Sequence, residues 1–134
     1  MKFLKKSPWI SIYNSGGCNG CILETFALIT PRYDIERFGC VWKSSARHAD
    51  ILLVTGAVSK QTIPRLKQIY SQMAEDKKVI GVGICTITGG PFRGSYNIPK
   101  RLEEVIPVDR WVTGCPPRPE AIMKALLEVL EEIK

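Results

Sequence analysis

A chain of 134 residues, 45% hydrophobic and 24% charged, is long enough to bury one core and has little sequence left for a second. Its formal charge of +6 is spread from Lys2, Lys5 and Lys6 through Arg32, Arg37, Lys43 and Arg47 to Arg93, Lys100 and Arg101. With no basic stripe interleaved with aromatics and no known binding module, nucleic acid is not expected as a partner; an acidic protein or anionic headgroups would suit the basic flank equally. No apolar run reaches the roughly 18 residues of a spanning helix, and the charged start leads into Ser7-Pro8-Trp9 rather than an apolar signal core, so an intracellular chain is expected.

In chain order, Pro8 to Asn14 alternates through β-branched and aromatic residues and predicts a strand ending at the turn Ser15-Gly16-Gly17. From about Gly20 to Ile29 the sequence is apolar and helix-like, until Thr30-Pro31 stops it. Asp50-Ile51-Leu52-Leu53-Val54-Thr55-Gly56 is a continuous apolar run bounded by glycine, the mark of a strand buried on both faces, and Lys78 to Gly83 is a second. Between them Ile63, Leu66, Ile69, Tyr70 and Met73 recur at helical spacing, which makes a strand, crossover helix and strand. Residues 89–100 form a long irregular stretch, of the kind that is more often functional than idle. Residues 107–112 predict another short strand, and Pro119 to Ile133 a closing amphipathic helix with Ile122, Ala125, Leu126, Val129, Leu130 and Ile133 on one stripe. The alternation predicts an α/β sandwich around a mostly parallel sheet, as a single domain over residues 1–134.

The five cysteines of an intracellular domain point to metal or redox chemistry rather than to a disulfide framework, and the odd count suggests four ligands and a bystander. Cys18 and Cys21 follow the first strand, Cys85 follows the strand ending at Gly83, and Cys115 follows Trp111-Val112. Each lies at the carboxyl end of a predicted strand, and in an open parallel sheet those ends gather on one edge, where ligands bind. Glycines accompany each: Gly16-Gly17 and Gly20, Gly89-Gly90, and Gly114 before Pro116-Pro117. They let main chain approach a cluster closely enough for backbone N–H groups to reach its sulfurs. Cys40, in Arg37-Phe38-Gly39-Cys40-Val41-Trp42, has no such setting and reads as a small buried hydrophobe. Zinc remains an alternative, as a stabiliser of an interaction module without redox function, although structural zinc usually sits between two close Cys-x-x-Cys pairs and only one is present. A thioredoxin-like pair would leave Cys85 and Cys115 without a task.

Several stretches together resemble one family: Gly17-Cys-Asn-Gly-Cys-Ile-Leu-Glu24, Leu28-Ile-Thr-Pro-Arg-Tyr-Asp-Ile-Glu-Arg-Phe-Gly39, Arg47-His-Ala-Asp-Ile-Leu-Leu-Val-Thr-Gly56, Cys85 with Gly89-Gly90, and Val112-Thr-Gly-Cys-Pro-Pro-Arg-Pro-Glu120. The chain resembles the small electron-transfer subunit shared by energy-converting membrane-bound NiFe hydrogenases and respiratory complex I. That resemblance implies a flavodoxin-like sandwich with one 4Fe–4S cluster at the carboxyl ends of the strands, held by Cys18, Cys21, Cys85 and Cys115. Complex I subunits have two adjacent cysteines at the first pair, so Cys18-Asn19-Gly20-Cys21 is similar to the hydrogenase branch.

The same resemblance implies a NiFe large subunit as electron acceptor, a ferredoxin-like cluster subunit as donor fed by ferredoxin, membrane ion-pumping subunits, and a peripheral position on the cytoplasmic face of the membrane. The alternative is the equivalent cluster subunit of a complex that passes electrons to a quinone, to methanophenazine or to a sulfur compound; the Cys-x-x-Cys spacing argues against quinone and says nothing against sulfur reduction. The chain departs from the family in carrying Ile22 where an acidic residue often follows the second cysteine. Glu24 matches a glutamate from which a proton path starts in hydrogenases; it reads equally as a helix-start carboxylate favoured by the helix dipole. His48, the only histidine, reads as a structural residue or as a coupler of cluster reduction to protonation. Arg32, Arg47 and Arg118 are candidates to offset cluster charge or to contact a partner.

Overall fold

The computed structural model describes residues 9–16, 20–38, 40–42, 47, 49–73, 77–90, 94–98, 101–115 and 117–133. Five strands, β1 (Trp9–Asn14), β2 (Val41–Trp42), β3 (Ile51–Thr55), β4 (Lys78–Val82) and β5 (Arg110–Val112), form one sheet in the order β2-β1-β3-β4-β5, with every neighbouring pair parallel. This is the flavodoxin-like strand order, in which the direction of winding reverses between β1 and β3 and leaves a crevice outside their carboxyl ends.

The helices are α1 (Gly20–Ala27), α2 (Ile63–Gln72), α3 (Ile84–Thr88), α4 (Leu102–Val105) and α5 (Pro119–Ile133), with a 3-10 turn at Ile35–Phe38. Alternation along β3 explains why its five residues are all buried: Ile51 and Leu53 face one layer, Leu52 and Val54 the other. On the first face Ile10, Ile80, Val82 and Val112 pack with Leu28 and Ile35 and with the α5 stripe Ile122, Ala125, Leu126, Val129 and Leu130. On the second, Val79 packs with Leu66, Ile69 and Met73 of the α2 segment and with Leu102 and Ile106. Covering both faces of a parallel sheet with helices satisfies the continuous apolar runs that the sequence carries.

The expected elements are present with local differences. β5 starts at Arg110 rather than at residue 107, because Asp109 turns back and accepts the Val79 N–H at 2.8 Å while its own N–H donates to the Val79 carbonyl at 2.9 Å. The two-residue strand β2 and the short helices α3 and α4 stand where the sequence pattern predicts no element. Cys40, at 1% exposure, is part of the first core layer, in agreement with its reading as a buried hydrophobe. Among the described residues no helix is long and apolar enough to cross a membrane.

Candidate cofactor site

The site begins where β1 ends. Ser15 is fully buried; its N–H donates to the Thr55 carbonyl at 2.9 Å, and its hydroxyl faces the carbonyls of Thr55, Gly56 and Ala57 at 3.0, 3.1 and 3.3 Å. The hydroxyl has one proton and so donates fully to only one of these three acceptors at a time. The Ser15 carbonyl in turn accepts from the Thr62 hydroxyl at 2.9 Å. The turn leading to the first cysteine pair therefore leaves the sheet from a fixed point, at the reversal between β1 and β3.

Cys21 is the second residue of α1 and is half-buried against the first core layer. Its carbonyl accepts the hydroxyl of the buried Thr25 at 2.8 Å, which satisfies Thr25 within its own helix. Cys85 is the second residue of α3 and is buried, at 7% exposure. Cys115, exposed, is the third residue after β5. None of these three is in a disulfide, and Cys18 and His48 lie outside the described residues, as do Lys2, Lys5, Lys6, Lys43, Arg93 and Lys100.

Gly83 joins these positions. Its N–H donates to the Val112 carbonyl at 2.7 Å, and the Ile84 N–H donates to the Gly114 carbonyl at 3.0 Å, so the β4–β5 ladder continues past the strands and ties the Cys85 turn to the Cys115 turn. A Cβ built on Gly83 would lie 2.5 Å from Cys21 Sγ, and the residue has φ +90° and ψ 159°, a conformation open essentially to glycine alone. Gly90, at φ +53°, lies close to the other thiol: a Cβ there would be 3.1 Å from Cys85 Sγ. Two of the four sequence-predicted cysteines thus have a bare glycine backbone against their sulfur, and the third joins them through the continued ladder.

This donor set suits a multi-metal cluster. Soft thiolates suit an iron–sulfur group, and backbone close to the sulfurs is where N–H groups could tune it. Among the described residues, no three histidine, cysteine, aspartate or glutamate side chains form a group that could hold a metal ion, and Cys18 is not among those residues.

Cys40 stands apart at the other end of the sheet, just before β2, and burial pushes its thiol up to about 11. A thiol held in its protonated form is an inert core group rather than a metal ligand.

Glu24 is half-buried and is the fifth residue of α1, whose first turn holds no acidic residue. The reading of Glu24 as a helix-start carboxylate is therefore corrected: it lies beyond the N-terminal amides whose partial charge would favour it. Arg32 and Arg118 both act on Glu120 at the start of α5. The Glu120 carboxyl is held below its ordinary range, chiefly by its own backbone N–H, against the opposing effect of desolvation, and then by the Tyr33 hydroxyl, which donates to Oε1 at 3.2 Å, with the two arginines adding to this. Loss of hydration, followed by the bond to Glu120, raises the Tyr33 phenol. Arg47 is exposed.

Residues 18–129 match the family described as NADH ubiquinone oxidoreductase, 20 Kd subunit. The chain belongs to this family. It is 49% identical, over 132 residues covering 98% of this chain and 79% of the relative, to the "Probable membrane-bound hydrogenase subunit mbhJ" of Pyrococcus furiosus. It is 39% identical to a subunit of the F(420)H(2) dehydrogenase of Methanosarcina mazei, covering 98% of this chain and 77% of that one. Among solved structures it superimposes on a chain of the membrane-bound sulfane sulfur reductase, an archaeal respiratory membrane complex, with a TM-score of 0.85 and 40% identity, covering 98% of this chain and 72% of that chain. The relatives are thus, by name, parts of oxidoreductase complexes, and family membership implies an iron–sulfur cluster.

Proposed function

We propose that the chain is the proximal electron relay of a membrane-bound, energy-converting NiFe hydrogenase, with one 4Fe–4S cluster held by Cys18, Cys21, Cys85 and Cys115. The observation that carries the ligand set is the glycine backbone against two sulfurs: Gly83 at Cys21 and Gly90 at Cys85, both at backbone angles that a side chain rarely adopts. The hydrogenase assignment rests on the 49% identical hydrogenase subunit and on the Cys-x-x-Cys spacing of the first pair.

When bound, the cluster supplies reversible one-electron storage. The chain's own residues do the rest. Four thiolates fix the group at the sheet edge, Gly83 and Gly90 allow the main chain to close over the sulfurs, and the core layer beneath Cys21 keeps water from the inner side. No side chain of the subunit makes or breaks a substrate bond; the chain serves as the non-catalytic partner of a NiFe-type large subunit. Its donor is a ferredoxin-like cluster subunit fed by ferredoxin, and membrane subunits that move ions anchor the assembly, with this chain peripheral on the cytoplasmic side. Glu24, three residues after Cys21 and half-buried on α1, is the entry of a proton path towards the large subunit.

A second reading keeps the relay and changes the acceptor to a sulfur compound. The superposition on a subunit of the sulfane sulfur reductase supports it. Elemental analysis of the native complex, isolated anaerobically through this subunit, separates the two. Iron with stoichiometric nickel is expected; iron without nickel favours the sulfur-reducing relative, and zinc without iron overturns both.

A further inference from the structure

Thr55 closes β3 and is 1% exposed, yet its hydroxyl has no hydrogen-bond partner among the described residues. Its carbonyl is occupied by Ser15. An unpartnered buried hydroxyl is costly, and valine would fill the same strand position with the same shape and no such cost. A hydroxyl at this place therefore calls for a partner that is not among the described side chains.

Its direction follows from the register. Thr55 pairs with Val82 across β3–β4 and with Asn14 across β1–β3. Register partners on neighbouring strands present their side chains to the same face of a sheet, and Val82 belongs to the layer against which Cys21 packs. One residue beyond Val82, Gly83 lies against Cys21 Sγ. The Thr55 side chain thus belongs to the cysteine-bearing face, at the carboxyl edge, where the order of the strands reverses.

We propose that the Thr55 hydroxyl donates a hydrogen bond to a sulfur of the bound iron–sulfur group and so favours its reduced state. This rests on the cluster reading above and adds a residue that neither the cysteine pattern nor the glycines assign. The physical reason is charge. Reduction adds one electron and no proton, and the Thr55 proton stays on Oγ1 throughout. A donor facing sulfur gains strength as negative charge accumulates there, so the reduced form gains more than the oxidised form. Thr55 is a tuning residue, not a catalytic one.

The test is a redox titration of the intact complex, followed by the EPR signal of its reduced cluster, in wild type, Thr55→Val and Thr55→Ser. Thr55→Val removes the donor and keeps the shape; it is expected to reduce the ratio of reduced to oxidised cluster at fixed potential by roughly tenfold, equal to about 59 mV for a one-electron couple. Thr55→Ser keeps the donor and is expected to titrate with wild type. A Thr55→Val complex that titrates within twofold of wild type overturns the proposal, as does a Thr55→Ser complex displaced as far as Thr55→Val, since shape rather than the hydroxyl would then set the potential. If Thr55→Val does not assemble, Thr55→Ala is judged by the same criterion. A wild-type complex without iron defeats the cluster reading itself, whereas a loaded wild type with an unmoved Thr55→Val potential defeats only the role of Thr55.

Discussion

At the amino-terminal edge of the sheet, Asp50 accepts the Trp9 N–H at 3.1 Å and returns its own N–H to the Trp9 carbonyl at 2.7 Å, and Asp109 makes the same reciprocal pair with Val79 at 2.8 and 2.9 Å. Lys78 adds an ion pair to Asp109 at 3.9 Å, and Cys40, just before β2, is sealed in the core. At the carboxyl edge of the same strands the chain places Cys21, Cys85 and Cys115, glycines at positive φ, and a threonine hydroxyl without a partner among the described residues. One edge closes its aspartates back on the strands; the other sets thiols beside glycine backbone and holds one threonine hydroxyl without a partner among the described residues. Both edges have the same strands and a comparable need to satisfy polar groups, so the contrast locates the function more sharply than the cysteine count does.

The largest effect expected from this contrast separates two buried cysteines. Cys85→Ser should strip iron from the complex and abolish its turnover, a loss beyond the ~10–100-fold that changing an outer-shell group costs. Cys40→Ser should leave iron content and turnover at the wild-type level while lowering stability by about 1–3 kcal/mol, because it buries a hydroxyl in an apolar layer. Iron analysis and a thermal unfolding scan of both variants decide the matter; equal iron loss in the two would erase the distinction between the edges.

A smaller effect separates two glycines of similar backbone angle. Gly83→Ala pushes a methyl group to 2.5 Å from Cys21 Sγ at φ +90°, whereas Gly94→Ala, at φ +83°, meets nothing within 4 Å. Both carry backbone strain of roughly 1–3 kcal/mol. Only Gly83→Ala should also lower iron occupancy, measured as iron per chain, because only there does the new atom displace a sulfur.

The fold was legible where a physical signal is strong and local. The run Ile51-Leu52-Leu53-Val54 announces a strand buried on both faces, and the α5 stripe from Ile122 to Leu130 announces its helix. The gathering of three cysteines at one edge followed from parallel strands alone. β2 was not legible, since two residues at a sheet edge carry no periodicity. Nor was α3: Ile84-Cys85-Thr86-Ile87-Thr88 is rich in β-branched residues that disfavour helix, and the turn is held instead by the Thr86 hydroxyl on the Gly83 carbonyl at 2.7 Å and by the left-handed cap at Gly89. Thr55 was hidden for a related reason. In sequence it is a good strand former ending an apolar run, and only burial without a partner distinguishes it from valine.

The smallest effect concerns the sealed edge and pH. Burial holds the folded Cys40 thiol at about 11 against an ordinary value of 9.0. The neutral thiol is the form that the core accepts, so its contribution to stability is complete below pH 9.0 and is lost as pH rises from there through about 11, because the unfolded chain releases the proton first. Thermal unfolding of the wild-type and Cys40→Ala complexes over this range should show the wild type losing more stability, while tyrosines and lysines titrate in both and cancel in the difference. Parallel curves would mean that the Cys40 thiol is not shielded from water, and the amino-terminal edge would then be less completely closed than its aspartate pairs indicate.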